Sequence, residues 1–126
     1  PVAARLATGL DPAQIASQME HLTELPLPLP TCHGLSVEGT LVAFDRFGNG
    51  ITNISQGDIG TGVIEKVYLQ PSHEGVLVDH YSELDAEQMG ALWNSDGVLE
   101  LTYYCASLLE RLNLDGGERV RVFLRA

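Results

Sequence analysis

The sequence predicts a mainly β fold: an antiparallel β-barrel with a leading helix and one short helix near the C-terminal end. From Gly34 onward, short apolar runs alternate with Gly, Asp and Asn turn residues. Many short strands with such turns are typical of a barrel or a sandwich. The length of 126 residues is near the commonest domain size, and 44% hydrophobic content supports one core.

Residues 1–30 are predicted to form a helix and a proline-rich strap, and residues 31–126 the barrel domain. Asp11 is a candidate N-cap, and Pro12 suits the first helical position. Apolar residues continue at helical spacing through Ile15, Met19 and Leu22. In residues 25–30 leucine and proline alternate, which forces an extended chain.

Short strands and one helix are predicted for the barrel domain. The predicted strands cover residues 35–45, 51–55, 63–69, 76–78, 91–93, 98–101 and 120–124. Residues 91–93 and 98–101 are predicted to pair through a turn at 94–97. In the last strand Val120, Val122 and Leu124 form the core face. A helical apolar stripe interrupts the series of strands at Leu101, Tyr104, Cys105, Leu108, Leu109 and Leu112, and Asn113 with Gly116-Gly117 ends it.

The turn around Asn49-Gly50 is the most informative stretch. Asn-Gly between two strand-like runs is typical of a tight β-hairpin, with no function attached. An ordinary hairpin does not need so many further polar side chains around one turn. These are Asp45, Arg46, Thr52 and Asn53. Their excess indicates either a self-satisfying hydrogen-bond network or a recognition loop.

Several classes of function are disfavoured. A net charge of −10 with a single lysine, Lys66, argues against nucleic-acid binding. No run of about 18 apolar residues is present, so no membrane span is expected. Cys32 and Cys105 suggest neither a disulfide framework nor a zinc site, so a reducing, cytoplasmic setting is expected. No nucleophile elbow, phosphate loop or metal-ligand spacing is visible, so we expect no catalytic residue, metal or cofactor in this chain.

Residues 44–54, Phe-Asp-Arg-Phe-Gly-Asn-Gly-Ile-Thr-Asn-Ile, carry a family resemblance. They are similar to the Asp-Arg-Phe-Gly-Asn-(apolar)-Ile-Thr-Asn-Ile signature of the S-adenosylmethionine (SAM) hydrolases. These enzymes are also called SAM hydroxide adenosyltransferases and are relatives of fluorinase and chlorinase. In that family the signature lies in the C-terminal β-barrel domain and its Asn reads the adenine, which implies this role for Asn49. Gly50 replaces the family's apolar residue, which could loosen one wall of the pocket.

A second resemblance covers residues 93–107. It is similar to the family's Asn-Ser-x-Gly-x-Leu-x-Ile segment and the Asn-Gly/Ala-x-Ser that follows it. It implies that Ser95 and Asp96 meet the methionine end, and that main-chain groups of Tyr103 and Cys105 reach the adenine. Phe47 and Tyr81 would supply aromatic stacking faces. Two departures are Tyr104, where the family has Asn, and Asp96, where halogenases have Arg.

The resemblance implies a C-terminal domain of a longer two-domain enzyme that hydrolyses SAM to adenosine and methionine. The opening Pro-Val-Ala-Ala is similar to the family's domain junction. SAM would be the substrate rather than a cofactor. Catalytic residues would lie in the N-terminal domain, so this chain alone would be inactive, and the pocket would form between subunits of a homotrimer. The alternatives are a non-catalytic interaction or oligomerisation barrel, and the domain of a SAM-dependent halogenase.

Overall fold

The computed structural model describes residues 1–70 and 72–125. Pro71 and Ala126, both inside the predicted barrel domain, lie outside the described residues. Eight strands are present in the described part: β1 Thr31–His33, β2 Ser36–Phe44, β3 Gly50–Ser55, β4 Val63–Leu69, β5 His73–Leu77, β6 Met89–Trp93, β7 Val98–Tyr103 and β8 Arg119–Arg125. Three short α-helices accompany them: α1 Val2–Ala7, α2 Gln56–Ile59 and α3 Leu108–Leu112.

Seven of the strands close into a barrel. The order is β2-β3-β7-β6-β5-β4-β8, and β8 pairs back onto β2, while β1 extends the sheet beside β2. All these pairings are antiparallel except β5 with β6, which is parallel. The predicted β-barrel is therefore confirmed, with the correction that it is mixed. Parallel neighbours need a long connection, and residues 78–88 supply it.

The core fills the barrel interior with alternate residues of each strand. It contains Val37, Leu41, Ile54, Val67, Leu69, Met89, Ala91, Leu99, Leu101, Val120 and Val122. Leu108 of α3 is also fully buried in this cluster. The predicted core face of β8 is confirmed for Val120 and Val122, and Leu124 packs against the same cluster. Because interior residues alternate along each strand, the residues between them face outward.

The leading helix lies earlier than the predicted start. It is α1, while the segment after Asp11 forms only a 3-10 turn at Pro12–Gln14. The cap is as predicted, since Asp11 accepts a hydrogen bond from the amide of Ala13 at 3.0 Å. Met19 is 67% exposed and finds no core to pack against. A short helix without tertiary packing is marginal in water, which explains the early end.

The predicted helix over residues 101–112 is wrong in its first half. Residues up to Tyr103 belong to β7, and α3 begins only at Leu108. Leu101 pairs with Gly50 of β3 and with Ala91 of β6, so sheet pairing decides its conformation. The predicted end is confirmed, since Asn113 has the left-handed conformation with φ of 50°.

None of the helices among residues 1–70 and 72–125 is long and apolar enough to cross a membrane.

Candidate functional site

The loop 45–49 joins β2 to β3 and is held by one carboxylate. Oδ1 of Asp45 accepts hydrogen bonds from the amides of Phe47 at 2.8 Å and Asn49 at 2.9 Å. The Gly48 amide donates to the Asp45 carbonyl at 3.1 Å, and Gly48 has a φ of 81°. The hairpin prediction is thus confirmed, but the loop has five residues, and its positive φ falls on Gly48 rather than at Asn49-Gly50.

The side chain of Asn49 is buried, and its amide orientation is fixed from both ends. Nδ2 donates to Oδ2 of Asp45 at 3.0 Å, while Oδ1 accepts from the Thr102 hydroxyl at 2.6 Å. A carboxylate only accepts hydrogen bonds, so the nitrogen must be the end that faces Asp45. An amide has two donors and two lone pairs, and one of each is used here. Within residues 1–70 and 72–125, one N–H and one lone pair of Asn49 therefore stay available.

Asn49 lines an open cavity of about 500 Å³. The lining residues are Phe47, Asn49, Tyr81, Thr102, Tyr103, Tyr104, Cys105, Ala106 and Ser107. Three aromatic side chains at its rim are well exposed, namely Phe47, Tyr81 and Tyr104. The guanidinium of Arg46 lies 4.6 Å from the centre of the Phe47 ring. The cavity thus combines aromatic surfaces with one buried amide, as small-molecule sites do.

A second buried polar contact stands beside the cavity. The hydroxyl of Tyr81 donates to Oε1 of Glu100 at 2.7 Å, and Glu100 is only 5% exposed. Burial, followed by the hydrogen bond and the charge of Glu100, raises the pKa of Tyr81 to about 12. The phenol is therefore protonated and a hydrogen-bond donor at neutral pH.

The structure brings five of the seven predicted site residues together. Phe47, Asn49, Tyr81, Tyr103 and Cys105 line the same cavity. Cys105 follows β7 in a tight turn closed by a bridge between Tyr103 and Ala106, and its φ is 52°. A left-handed φ is strained for a residue with a Cβ.

The other two predicted residues, Ser95 and Asp96, are exposed on the turn between β6 and β7. This turn is held by Oδ1 of Asn94, which accepts from the Asp96 amide at 3.0 Å. It stands at the opposite end of β7 from the cavity. Gly50 also lies away from the cavity, because a Cβ there would meet Leu41 and Leu108 of the core.

Sequence reasoning missed two residues that build the site, Thr102 and Glu100. It grouped Asp45 with the polar residues of the turn but did not predict that this carboxylate holds the loop and Asn49. Thr102 and Glu100 alternate with Leu99 and Leu101 along β7. That alternation is visible in the sequence, but the helical spacing of the leucines obscures it. In the described part of the chain, no three His, Cys, Asp or Glu side chains come close enough to hold a metal ion.

Comparison with known proteins gives the family. Residues 39–121 match the family described as the SAM hydroxide adenosyltransferase C-terminal domain, and the chain belongs to this family. Over 123 residues it is 32% identical to (R)-S-adenosyl-L-methionine hydrolase of Thermus thermophilus, covering 97% of this chain and 45% of that protein. The predicted family and domain are thereby confirmed.

Two solved structures are also similar. A crystal structure of a conserved hypothetical protein from Thermus thermophilus is 33% identical with a TM-score of 0.71, over 98% of this chain and 49% of that one. A conserved protein from Thermotoga maritima has a TM-score of 0.75 at 20% identity, again over 98% of this chain and 49% of that one, and shows the fold alone. This chain thus spans about half the length of these relatives.

Proposed function

We propose that this chain is the C-terminal substrate-binding domain of an enzyme that hydrolyses SAM to adenosine and methionine. Its part would be to recognise the adenine and the methionine. One observation carries the proposal: the buried Asn49, held by Asp45 and Thr102, lines an aromatic cavity with one N–H and one lone pair still available.

That pair of groups suits adenine. The N7 of adenine is an acceptor and its N6 amino group is a donor, and an Asn amide can bind both at once. Phe47 and Tyr81 would stack on the purine, which contributes about 1–3 kcal/mol per base in nucleic-acid binders. Because the Asn49 amide is already oriented, little side-chain freedom would be lost when the base binds.

The methionine moiety would extend along the outer surface of β7 towards Ser95 and Asp96. The carboxylate of Asp96 is exposed there and would attract the substrate ammonium. A chain with a net charge of −10 also favours a cationic sulfonium over phosphorylated nucleotides. The family's halogenases have Arg at the position of Asp96, so this residue favours water as the nucleophile.

In the proposed reaction a water oxygen attacks the ribose 5′ carbon as the carbon–sulfur bond breaks. The bonding electron pair stays on sulfur, methionine leaves, and the proton of the attacking water passes to solvent or to a base. The sulfonium is a good leaving group, so positioning and exclusion of bulk water are the main needs. The ribose-binding and water-positioning residues would belong to an N-terminal domain of a neighbouring subunit in a homotrimer. Cys32 and Cys105 are both free, in keeping with a cytoplasmic enzyme.

The test uses the protein that carries this chain, incubated with SAM in chloride-free buffer, with products followed by chromatography. We expect adenosine and methionine in equal amounts. Asn49→Ala should weaken adenosine binding by about one to two powers of ten, because buried purine groups would lose their partner. Calorimetric titration with adenosine measures this directly, and the fold should stay intact.

Asn53→Ala is the matched control, since it makes the same change on β3 outside the cavity. Asn53 accepts from the Thr40 amide at 2.8 Å and donates to the Pro28 carbonyl at 2.6 Å, so its loss should loosen the strap and leave adenosine binding unchanged. Absence of turnover and of adenosine affinity in the unmodified protein would overturn the proposal in favour of an interaction barrel. A chlorinated nucleoside formed only with added chloride would favour a halogenase.

A further inference from the structure

We infer that Glu100 is a positioning residue, which fixes Tyr81 as a wall of the adenine cavity and thereby sets its affinity for the nucleoside. This inference rests on the proposed function of the cavity. Glu100 is not among the residues that line the cavity, so it would act only through Tyr81.

The surroundings of Glu100 do not explain it as a stabilising residue. It is 5% exposed, and its cross-strand neighbours are Ile51 on β3 and Leu92 on β6. Within residues 1–70 and 72–125, no Lys, Arg or His forms a salt bridge with it. Burying a carboxylate without a cation is costly, and an apolar residue of similar size would fit this position better. In the described part of the chain, the side chain of Glu100 accepts one hydrogen bond, from Tyr81.

Tyr81, in turn, needs an anchor. It begins a 3-10 turn, Tyr81–Glu83, on the long connection between β5 and β6, and 43% of it is exposed. Three residues later, Leu84 packs beside Gly90 and holds the end of the turn. The bond from the phenol to Glu100 ties the ring itself to the barrel wall. A ring already held in place loses less freedom when it stacks on a base.

The same strand positions both recognition side chains. On the outer side of β7, Thr102 donates to Asn49, and two residues earlier Glu100 accepts from Tyr81. The strand rise places these two anchors about 6.8 Å apart on one rigid element. The hydrogen-bonding amide and the stacking ring would therefore be set relative to each other by β7. The pKa of Tyr81, about 12, keeps the phenol a donor throughout the neutral range.

The test compares four variants of the protein that carries this chain: Glu100→Leu, Glu100→Gln, Tyr81→Phe and the control Tyr68→Phe. Tyr68 also donates to a glutamate, Glu74 at 2.9 Å, but outside this cavity. Adenosine affinity is measured by calorimetric titration and stability by thermal unfolding. Glu100→Leu should weaken adenosine binding about fivefold to tenfold, the usual range for one lost hydrogen bond. Its unfolding midpoint should stay the same or rise, because a buried carboxylate is removed.

Glu100→Gln tests whether an accepting oxygen restores binding, and a double variant tests whether Glu100 and Tyr81 act through one interaction. Glu100→Gln keeps an oxygen that accepts from the phenol and should bind adenosine within about twofold of the unmodified protein. Tyr81→Phe should match Glu100→Leu, and the double variant should be no weaker than either one, since both remove the same interaction. Tyr68→Phe should change nothing in adenosine binding.

Two results would overturn the inference, and they differ. If the unmodified protein binds adenosine and Glu100→Leu binds it equally well, Glu100 does not position the site and the proposed function stands. If the unmodified protein shows no affinity for adenosine, the proposed function fails and the inference fails with it.

Discussion

Among the concavities on the outer surface of the barrel, two contrast in their chemistry: one of about 500 Å³ beside Asn49 and one of about 430 Å³ beside Arg121. We call the first, together with its supporting residue, the recognition face; it consists of Phe47, Asn49, Tyr81 and Thr102, which line the cavity, and Glu100, which accepts from Tyr81. Its polar groups are mostly buried, with Asn49 6%, Glu100 5% and Thr102 1% exposed. Glu100 accepts from Tyr81 and Thr102 donates to Asn49, while Asn49 also donates to the carboxylate of Asp45 and keeps one N–H and one lone pair for a ligand.

The second, which we call the ion-pair face, consists of Glu38, Lys66, Tyr68, Glu74 and Arg121. Its charged side chains are between 28% and 48% exposed and are paired with opposite charges. Lys66 lies 3.0 Å from Glu74, and Arg121 lies 2.6 Å from Glu38. Such pairs satisfy one another and contribute little to stability.

The two faces differ in the partners of their carboxylates. A tyrosine donates to a glutamate on both faces, but Glu74 also has Lys66 as a partner, whereas the side chain of Glu100 has only Tyr81 among the described residues. Exposed ion pairs need no function to account for them. Buried amide, hydroxyl and carboxylate groups cost stability unless each is satisfied, so their concentration on one face points to recognition.

The largest expected effect comes from Gly48→Ala at the edge of the recognition face. Gly48 has a φ of 81°, and a Cβ there would collide with the side chain of Ser107, the N-cap of α3. Strain and overpacking together should cost roughly 2–4 kcal/mol of folding free energy. The carbonyl of Gly48 also accepts from the Leu109 amide at 3.0 Å, so the start of α3 should shift. The midpoint of thermal unfolding should therefore fall, and the adenosine affinity measured by titration should change as well.

Gly117→Ala is the control for this change. Gly117 has a φ of 85°, close to that of Gly48, but nothing lies within 4 Å of a Cβ at this position. Backbone strain alone should cost roughly 1–2 kcal/mol of folding free energy, and adenosine binding should stay unchanged. Equal effects of the two variants would mean that the contact between the loop 45–49 and α3 is unimportant.

The sequence predicts one half of the recognition face better than the other. Asn49 and Phe47 belong to one continuous motif, so their proximity needed no tertiary information. Glu100 and Tyr81 are 19 residues apart, and they meet only because β5 and β6 pair in parallel and the connection between them crosses over the outside of the barrel. Local patterns do not determine such pairings, since the same spacing of leucines fits a helix or a strand end.

The core could be predicted better than the connections. Alternation in β8 identifies Val120 and Val122 because one face of the strand is buried and the other is not. The apolar spacing after Asp11 overestimates the helix there, since helical spacing says nothing about whether a core exists for the apolar side to cover.

A smaller effect, specific to recognition, is expected from Thr102→Val. The change keeps the shape of the side chain and removes the hydroxyl that donates to Oδ1 of Asn49 at 2.6 Å. We expect adenosine binding to weaken about fivefold to tenfold, because the Asn49 amide loses one of its two anchors. The stability cost should be about 1–2 kcal/mol.

Thr52→Val is the control that separates the effect of losing a buried hydroxyl from an effect on adenosine recognition. Thr52 and Thr102 are each 1% exposed, but the Thr52 hydroxyl donates to the Leu99 carbonyl at 2.7 Å and accepts from the Ile54 amide at 3.1 Å. This variant should lose at least as much stability as Thr102→Val and keep its adenosine affinity. If both variants lost adenosine affinity in proportion to their loss of stability, Thr102 would have no special role in recognition.

The smallest effect is expected on the ion-pair face, from Glu38→Gln. The hydrogen bond from Arg121, together with the charges of Arg119 and Arg121, holds the pKa of Glu38 below its usual value of 4.5. A lowered pKa in the folded state stabilises the protein above the unfolded value, and this stabilisation is lost as the pH falls. The unmodified protein should therefore unfold at a slightly higher temperature than Glu38→Gln at neutral pH. The difference should shrink as the pH falls below 4.5 and vanish below the lowered pKa of Glu38 in the folded state. Because the pair is solvent-exposed, the difference should be small and should shrink further in high salt. Adenosine affinity should be the same in both proteins; a loss of affinity in Glu38→Gln would mean that the two faces are coupled through β2 and β3.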